Sequence, residues 1–409
     1  MPAAAPGATS FGRLLPLLLA APLFLQSFHY IVDVPPLYLL SKAWPLLTLP
    51  LALLGMLEEP RHRPLLLATI AYVLLVPPVT TMLNFQQSYL SAATGMVKVL
   101  PFTCYFSVLW LLRRLRPTAA ELHRCFSWLG AANLGLLALL WVVMPDSAYK
   151  SGAIGEDISK LFLWDPERGN RITLPLVFGL IFIFLQARHA LRGGGWWRLG
   201  LALGAVALLV LTYKQRTVIG CIVLLLGWLV MAEVSPRQRL LLAWLAGVAL
   251  LAGLALFLLN QVPFSAEGLG GSLSARQLTI SLALDFLAEN PMRWVFGAGA
   301  LTRASDITFP EFVNHPNFYL VDIGWLGIVF EYGAVGAALL LAVYVTTLRA
   351  GGRTPHAPGA PLVPALCDYA RFLLLSSPIL SVVWAPGEVC SLLAVFTYLH
   401  HPAPPADAR

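Results

Sequence analysis

Charge is what this sequence has least of. Of its 409 residues, 11% are Asp, Glu, Lys or Arg and 58% are apolar, whereas a soluble domain usually carries about a quarter charged residues. That balance excludes an ordinary water-soluble globule and defines a polytopic membrane protein. The apolar runs lack the two-residue alternation of a barrel strand. Runs of about 20 residues in lipid must satisfy their own backbone hydrogen bonds, so the expected fold is all-α. Cysteine is also scarce: Cys104, Cys125, Cys221, Cys367 and Cys390 show no CxxC or paired spacing, and they read as helix-packing residues. The chain has no acidic cluster with an obvious metal-binding spacing, so neither a metal nor another cofactor is expected. Its formal charge of +7 is scattered over loop ends, with no basic stripe and interleaved aromatics, which argues against nucleic acid as a partner. No internal repeat or inverted pair of broken helices is visible.

What the chain does have is hydropathy. About twelve spans are predicted by a window of roughly 19 residues: 14–30, 38–57, 65–83, 95–112, 125–144, 172–190, 199–213, 217–234, 239–259, 321–348, 362–382 and 387–400. The first, with Arg13 at its flank and no convincing cleavage site before Asp33, reads as an uncleaved helix. With the N-terminus inside, the cytoplasmic loops collect Arg61 and Arg63; Arg113, Arg114, Arg116 and Arg124; Arg188, Arg192 and Arg198; Arg237 and Arg239; Arg349 and Arg353. Every such loop is then basic, so both termini are expected in the cytoplasm. The chain reads as a single integral membrane domain, 1–409, with a large outer loop, 260–317, between the ninth and tenth spans. Within that loop Leu278, Leu282 and Phe286 recur at helical spacing, which predicts an amphipathic helix over 274–288. The other long outer loop, 145–171, reads as a solvated stretch of mixed charge.

Lys214 and Arg216 interrupt a long apolar tract, 199–234, and fall on the side where cations are disfavoured. Lys42, Lys98, Arg276, Arg293 and Arg303 share that boundary. A lysine at a helix end can snorkel, but Arg216 sits in a hairpin where a neutral polar residue would serve as well. Guanidinium forks match phosphate oxygens bidentately and stay charged, so outer arginines suit an anion delivered through the membrane, such as a lipid-linked diphosphate. At the start of the tenth span lie His315 and Asp322, followed by Glu331, Gly333 and Gly336. His315 and Asp322 are ordinary loop and helix-start residues in one reading. In the other, either takes a proton from an attacking hydroxyl. Glu388, near the outer mouth between the last two spans, either lines the same cavity or caps a helix.

Taken in order, the arginine after Thr212-Tyr213-Lys214-Gln215, Arg276 before an amphipathic helix and Asn290-Pro291, the Gly297-Ala298-Gly299 turn and the segment 326–336 resemble the O-antigen ligase and polymerase superfamily. The resemblance covers roughly 213–336. It implies a GT-C-like helical fold and a metal-independent, inverting glycosyltransferase of the bacterial inner membrane. Such an enzyme acts at the periplasmic face on glycans carried by undecaprenyl diphosphate. Arg216 and Arg276 match the family's two diphosphate-holding arginines, with Lys214 and Arg293 as neighbours in that role. Counting back nine, eleven and fourteen positions from Glu331, Gly333 and Gly336 puts Asp322 where the family has a histidine, with Trp325-Leu326 replacing its Tyr-Leu. His315 begins a shorter His-x-Asn-x-x-Leu match. An Asp-Ile-Gly segment of this kind is similar to exopolysaccharide and O-antigen polymerases. The implied activity is polymerisation of repeat units; a ligase passing finished glycan to lipid A-core or another acceptor is the alternative. A transporter or flippase for a lipid-linked glycan is the reading from another class.

Overall fold

The structure, a computed structural model, describes residues 11–29, 31–151, 161–165, 168–233, 237, 271–301, 305, 307–315, 318–355, 360–378 and 386–401. Six helical stretches there are long and apolar enough to cross a membrane: Pro35–Glu58, Arg63–Phe85, Tyr89–Leu115, Ala119–Val143, Arg216–Glu233 and Leu320–Arg353. Three shorter apolar helices accompany them, Leu14–Phe24, Val177–Leu191 and Trp196–Thr212. The ninth expected span, 239–259, lies outside the described residues.

Local chemistry sets most helix boundaries. Proline near the first position, where an N–H has no partner anyway, opens α2 (Pro35–Leu47), α3 (Leu49–Glu58) and α4 (Arg63–Phe85). After α5 (Tyr89–Gly95), Pro101 falls in a 3-10 stretch, Met96–Thr103, that leads into α6 (Cys104–Leu115). A Thr118–Glu121 capping box opens α7 (Ala119–Val143). α8 (Val177–Leu191), α9 (Trp196–Thr212) and α10 (Arg216–Glu233) follow, then α11 (Gly271–Ala288) and the short α12 (Pro291–Phe296) and α13 (Phe309–Phe312). Last come α14 (Gly324–Arg353), α15 (Leu362–Ser376) and α16 (Pro386–His400); α1 is Phe11–Phe24.

The helices pack around Leu66, Tyr105, Phe106, Ile183, Phe184, Leu392 and Leu393, all at 0% exposure. Leu57, Leu83 and Val142 are 79%, 70% and 81% exposed. An apolar rim on a packed core would be a liability in water and is what lipid selects. A second cluster, Phe85, Ala283, Leu287, Phe309, Phe318 and Phe330, closes one end of the bundle. It seats α11 by Thr279, Ala283 and Leu287, while Leu278, Leu282 and Phe286 are half-buried and Ile280 and Leu284 are exposed. The buried stripe is thus displaced by one residue from the one the spacing predicts.

Charged side chains gather at the two ends. At the basic end, Arg113 pairs with Glu59, Arg61 with His401, and His400 with the Arg353 carbonyl. Arg188 grips the fully buried Asp368 through two bonds of 2.8 and 3.0 Å and reaches Glu233 at 3.1 Å. At the opposite end, the hairpin end, the described residues of loop 145–171 include regular structure. β1 (Lys150–Ser151), β2 (Phe162–Asp165) and β3 (Gly169–Ile172) form a small sheet, with β2 and β3 antiparallel and Leu163 opposite Arg171. Gly169 at φ +65° accommodates the turn.

Candidate functional site

The hairpin between α9 and α10 is three residues long, Tyr213 to Gln215. Lys214 adopts a left-handed backbone, φ +53°, so the chain reverses without a glycine. Its ammonium donates to the Arg168 carbonyl at 2.9 Å and lies 5.4 Å from the centre of the Trp141 ring. Arg216 is the first residue of α10 and is exposed, with no ion pair among the described residues. A cation there opposes the positive end of the helix dipole.

The sheet adds two arginines to this corner. Arg168 precedes β3 and offers its carbonyl to Lys214, while Arg171 on β3 lies within electrostatic range of Tyr213 and stands 3.7 Å from Asp165. Burial draws Arg171 below the ordinary arginine range; Asp165 opposes that and Arg168 adds to it. The Nε atoms of Arg168, Arg171 and Arg276 are buried with no acceptor among the described residues. A buried donor without a partner costs roughly 1–3 kcal/mol, more when charged, and an anionic oxygen would relieve it. Three of the four arginines in this condition are at the hairpin end; Arg198 is the fourth.

Arg276 stands on α11 within electrostatic range of Asp322 but makes no direct salt bridge to it. Asp322 belongs to a 3-10 turn, Leu320–Ile323, tied to α11 by the Tyr319 amide, which donates to the Thr279 hydroxyl at 3.3 Å. Gly324, at φ +52°, ends the turn; a Cβ there would lie 2.3 Å from the Ser377 carbonyl oxygen. His315 follows α13, its amide donating to the Pro310 carbonyl at 2.9 Å and its own carbonyl accepting from Phe318 at 3.3 Å. The chain enters that loop through Asn314, at φ +52°. Arg303, Pro316 and Asn317 lie outside the described residues.

Arg293 is differently employed. Its Nε donates to Asn84 at 2.9 Å, one terminal nitrogen donates to the Phe286 carbonyl at 2.7 Å and to Glu289 at 2.6 Å, and the guanidinium stacks 3.9 Å from the centre of the Phe286 ring. It clamps α4, α11 and α12 together. The glycines of the family-like segment are structural as well. Gly297-Ala298-Gly299 threads between α4 and α14, with the Ala298 amide on the Phe330 carbonyl at 2.6 Å and the Ala300 amide on the Thr81 hydroxyl at 2.9 Å. Gly333 breaks α14 at φ +67°, and a Cβ on it would lie 2.2 Å from the Val295 carbonyl oxygen. Beside this crossing Lys98 pairs with Glu331 at 3.1 Å, a partner that hydropathy had no means of indicating. Glu388 is buried and accepts a hydrogen bond from Tyr369.

Fold and surface together define the class: a helical, multi-pass membrane protein. No family model matches the chain, and no curated protein matches it significantly.

Proposed function

We propose that this protein is a membrane glycosyltransferase of about twelve spans and GT-C type, oriented with both termini in the cytoplasm and the hairpin end in the periplasm. It takes oligosaccharide from undecaprenyl diphosphate. Arg216 and Arg276 hold the diphosphate, with Lys214 beside them, and Asp322 or His315 accepts the proton of the attacking hydroxyl. As the acceptor oxygen bonds to the anomeric carbon, the bond from that carbon to the diphosphate breaks, and the cations stabilise the charge that leaves. Polymerisation of repeat units is the preferred reaction. The observation that carries this reading is the set of buried arginine Nε atoms without acceptors, at the same end as the exposed Arg216. The gathering of Arg61, Arg113, Arg188 and Arg353 at the other end supports the orientation.

The test is purified protein in proteoliposomes supplied with a lipid-linked repeat unit. Longer glycans on the same lipid indicate the polymerase, transfer to a second lipid a ligase, and passage across the bilayer without a new bond a transporter. Arg216→Ala and Arg276→Ala are each expected to abolish transfer while the protein remains inserted and folded. Normal turnover in either variant removes that residue from the site.

A further inference from the structure

The basic end holds a concavity that the proposed reaction does not use. The turn before α4 supplies Arg61 and His62, the end of α14 supplies Arg349 and Arg353, and the end of α16 supplies His400, around a space of about 280 Å³. No carboxylate lines it among the described residues. Glu59, the nearest acid in sequence, pairs with Arg113 and accepts the Arg61 backbone amide at 3.2 Å. A basic flank is expected at one end of any membrane bundle, but an ordinary flank spreads its charges into water. Here three arginines converge on one concave surface, and like charges crowded in this way favour a counter-anion.

The convergence is fixed by packing. At Gly351, a Cβ would lie 2.5 Å from the Cys367 sulfur and 3.0 Å from the Phe396 ring, so α14 packs directly against α15 and α16 there. The Thr354 hydroxyl donates to the Phe396 carbonyl at 3.3 Å, and the His62 ring stands edge-on to Tyr105 at 5.8 Å. The Arg61 guanidinium meets an imidazole, at 3.3 Å from His401, and no carboxylate among the described residues. Both Arg349 and Arg353 are exposed, with no ion pair of their guanidinium groups among the described residues. Burial, and after it the neighbouring Arg61, hold His62 below its ordinary pKa, with Glu59 opposing them.

We propose that this concavity is a binding site for a compact phosphate-rich anion, recognised by the guanidinium forks of Arg61, Arg349 and Arg353. Its volume is at the small end for ligand pockets, which suits a headgroup or a diphosphate and not a whole nucleotide. Guanidinium groups pair with phosphate oxygens in a planar, two-bond geometry that an ammonium cannot reproduce. The chemistry is shared by an anionic phospholipid headgroup and by a free diphosphate in solution, and the experiment separates the two.

Full-length protein in phosphatidylcholine nanodiscs is titrated with cardiolipin and, separately, with inorganic pyrophosphate, with bound species counted by native mass spectrometry. Saturable binding of one probe is expected, weakened about tenfold or more by Arg349→Gln with Arg353→Gln. The pair Arg114→Gln with Arg124→Gln removes the same charge from the same end outside the concavity and is expected to leave binding within about twofold. Arg349→Lys keeps the charge and loses the fork, and gives a smaller loss in a protein that stays folded. Cardiolipin retained identifies the lipid source; pyrophosphate alone identifies the solute. Equal weakening by the two double variants, or no saturable binding of either probe, overturns the proposal.

Discussion

At the scale of single residues, the arginines divide by what their donors already do. Arg293 has spent its Nε and one terminal nitrogen on Asn84, Phe286 and Glu289, whereas the Nε atoms of Arg168, Arg171 and Arg276 have no acceptor among the described residues. Arg293→Ala is therefore expected to destabilise the protein by about 1.5–3 kcal/mol, the usual worth of charge-assisted hydrogen bonds. Arg171→Gln is expected to leave the unfolding midpoint in detergent unchanged and to weaken donor binding about tenfold. Comparable melting temperatures for the two variants would contradict the division. Arg216 and Arg276 were legible in the sequence because a cation beside an apolar run is conspicuous. Arg168 and Arg171 were not: in a loop of mixed charge, only the folded contacts to Lys214 and Tyr213 show which cations approach the hairpin.

At the scale of elements, the apolar runs foretold the helices and missed their irregularities. Span 95–112 is interrupted by a 3-10 stretch containing Pro101, and α14 is broken at Gly333. Neither break changes hydropathy, so no window detects it. The break at Gly333 lets the Gly297–Gly299 segment pass backbone to backbone, which in turn positions Glu331 against Lys98. Gly333→Ala meets both a left-handed backbone and a carbonyl oxygen at 2.2 Å. It is expected to cost about 1–3 kcal/mol from backbone strain alone, with further loss from the displaced carbonyl. Unfolding of purified protein in detergent measures this, and an unchanged midpoint would mean that the crossing is loose.

At the scale of the whole molecule, charged side chains gather at both ends, and those at the basic end are the more fully paired. The basic end is held by the network of Arg188, Arg192, Arg371, Asp368 and Glu233, which joins α8, α10 and α15. Asp368→Ala would leave Arg188 buried without its bidentate partner and is expected to destabilise by about 3–5 kcal/mol. Replacing both residues with apolar ones of similar size should recover much of that loss. Pairing across 180 residues of sequence was not readable in advance, because hydropathy places Arg188 and Asp368 at helix ends without saying which ends meet. The all-helical class and the segregation of charge to loop ends were readable, since composition and loop position alone determine them.

In the proposed orientation Arg216 faces the compartment outside the cytoplasm. All five native cysteines are buried, so background labelling is low when Arg216→Cys is probed in intact cells with a membrane-impermeant maleimide. The account predicts modification of that cysteine from outside, as fast as at an exposed outer-loop control position. Labelling only after the membrane is opened would place the arginine on the cytoplasmic side and contradict the account.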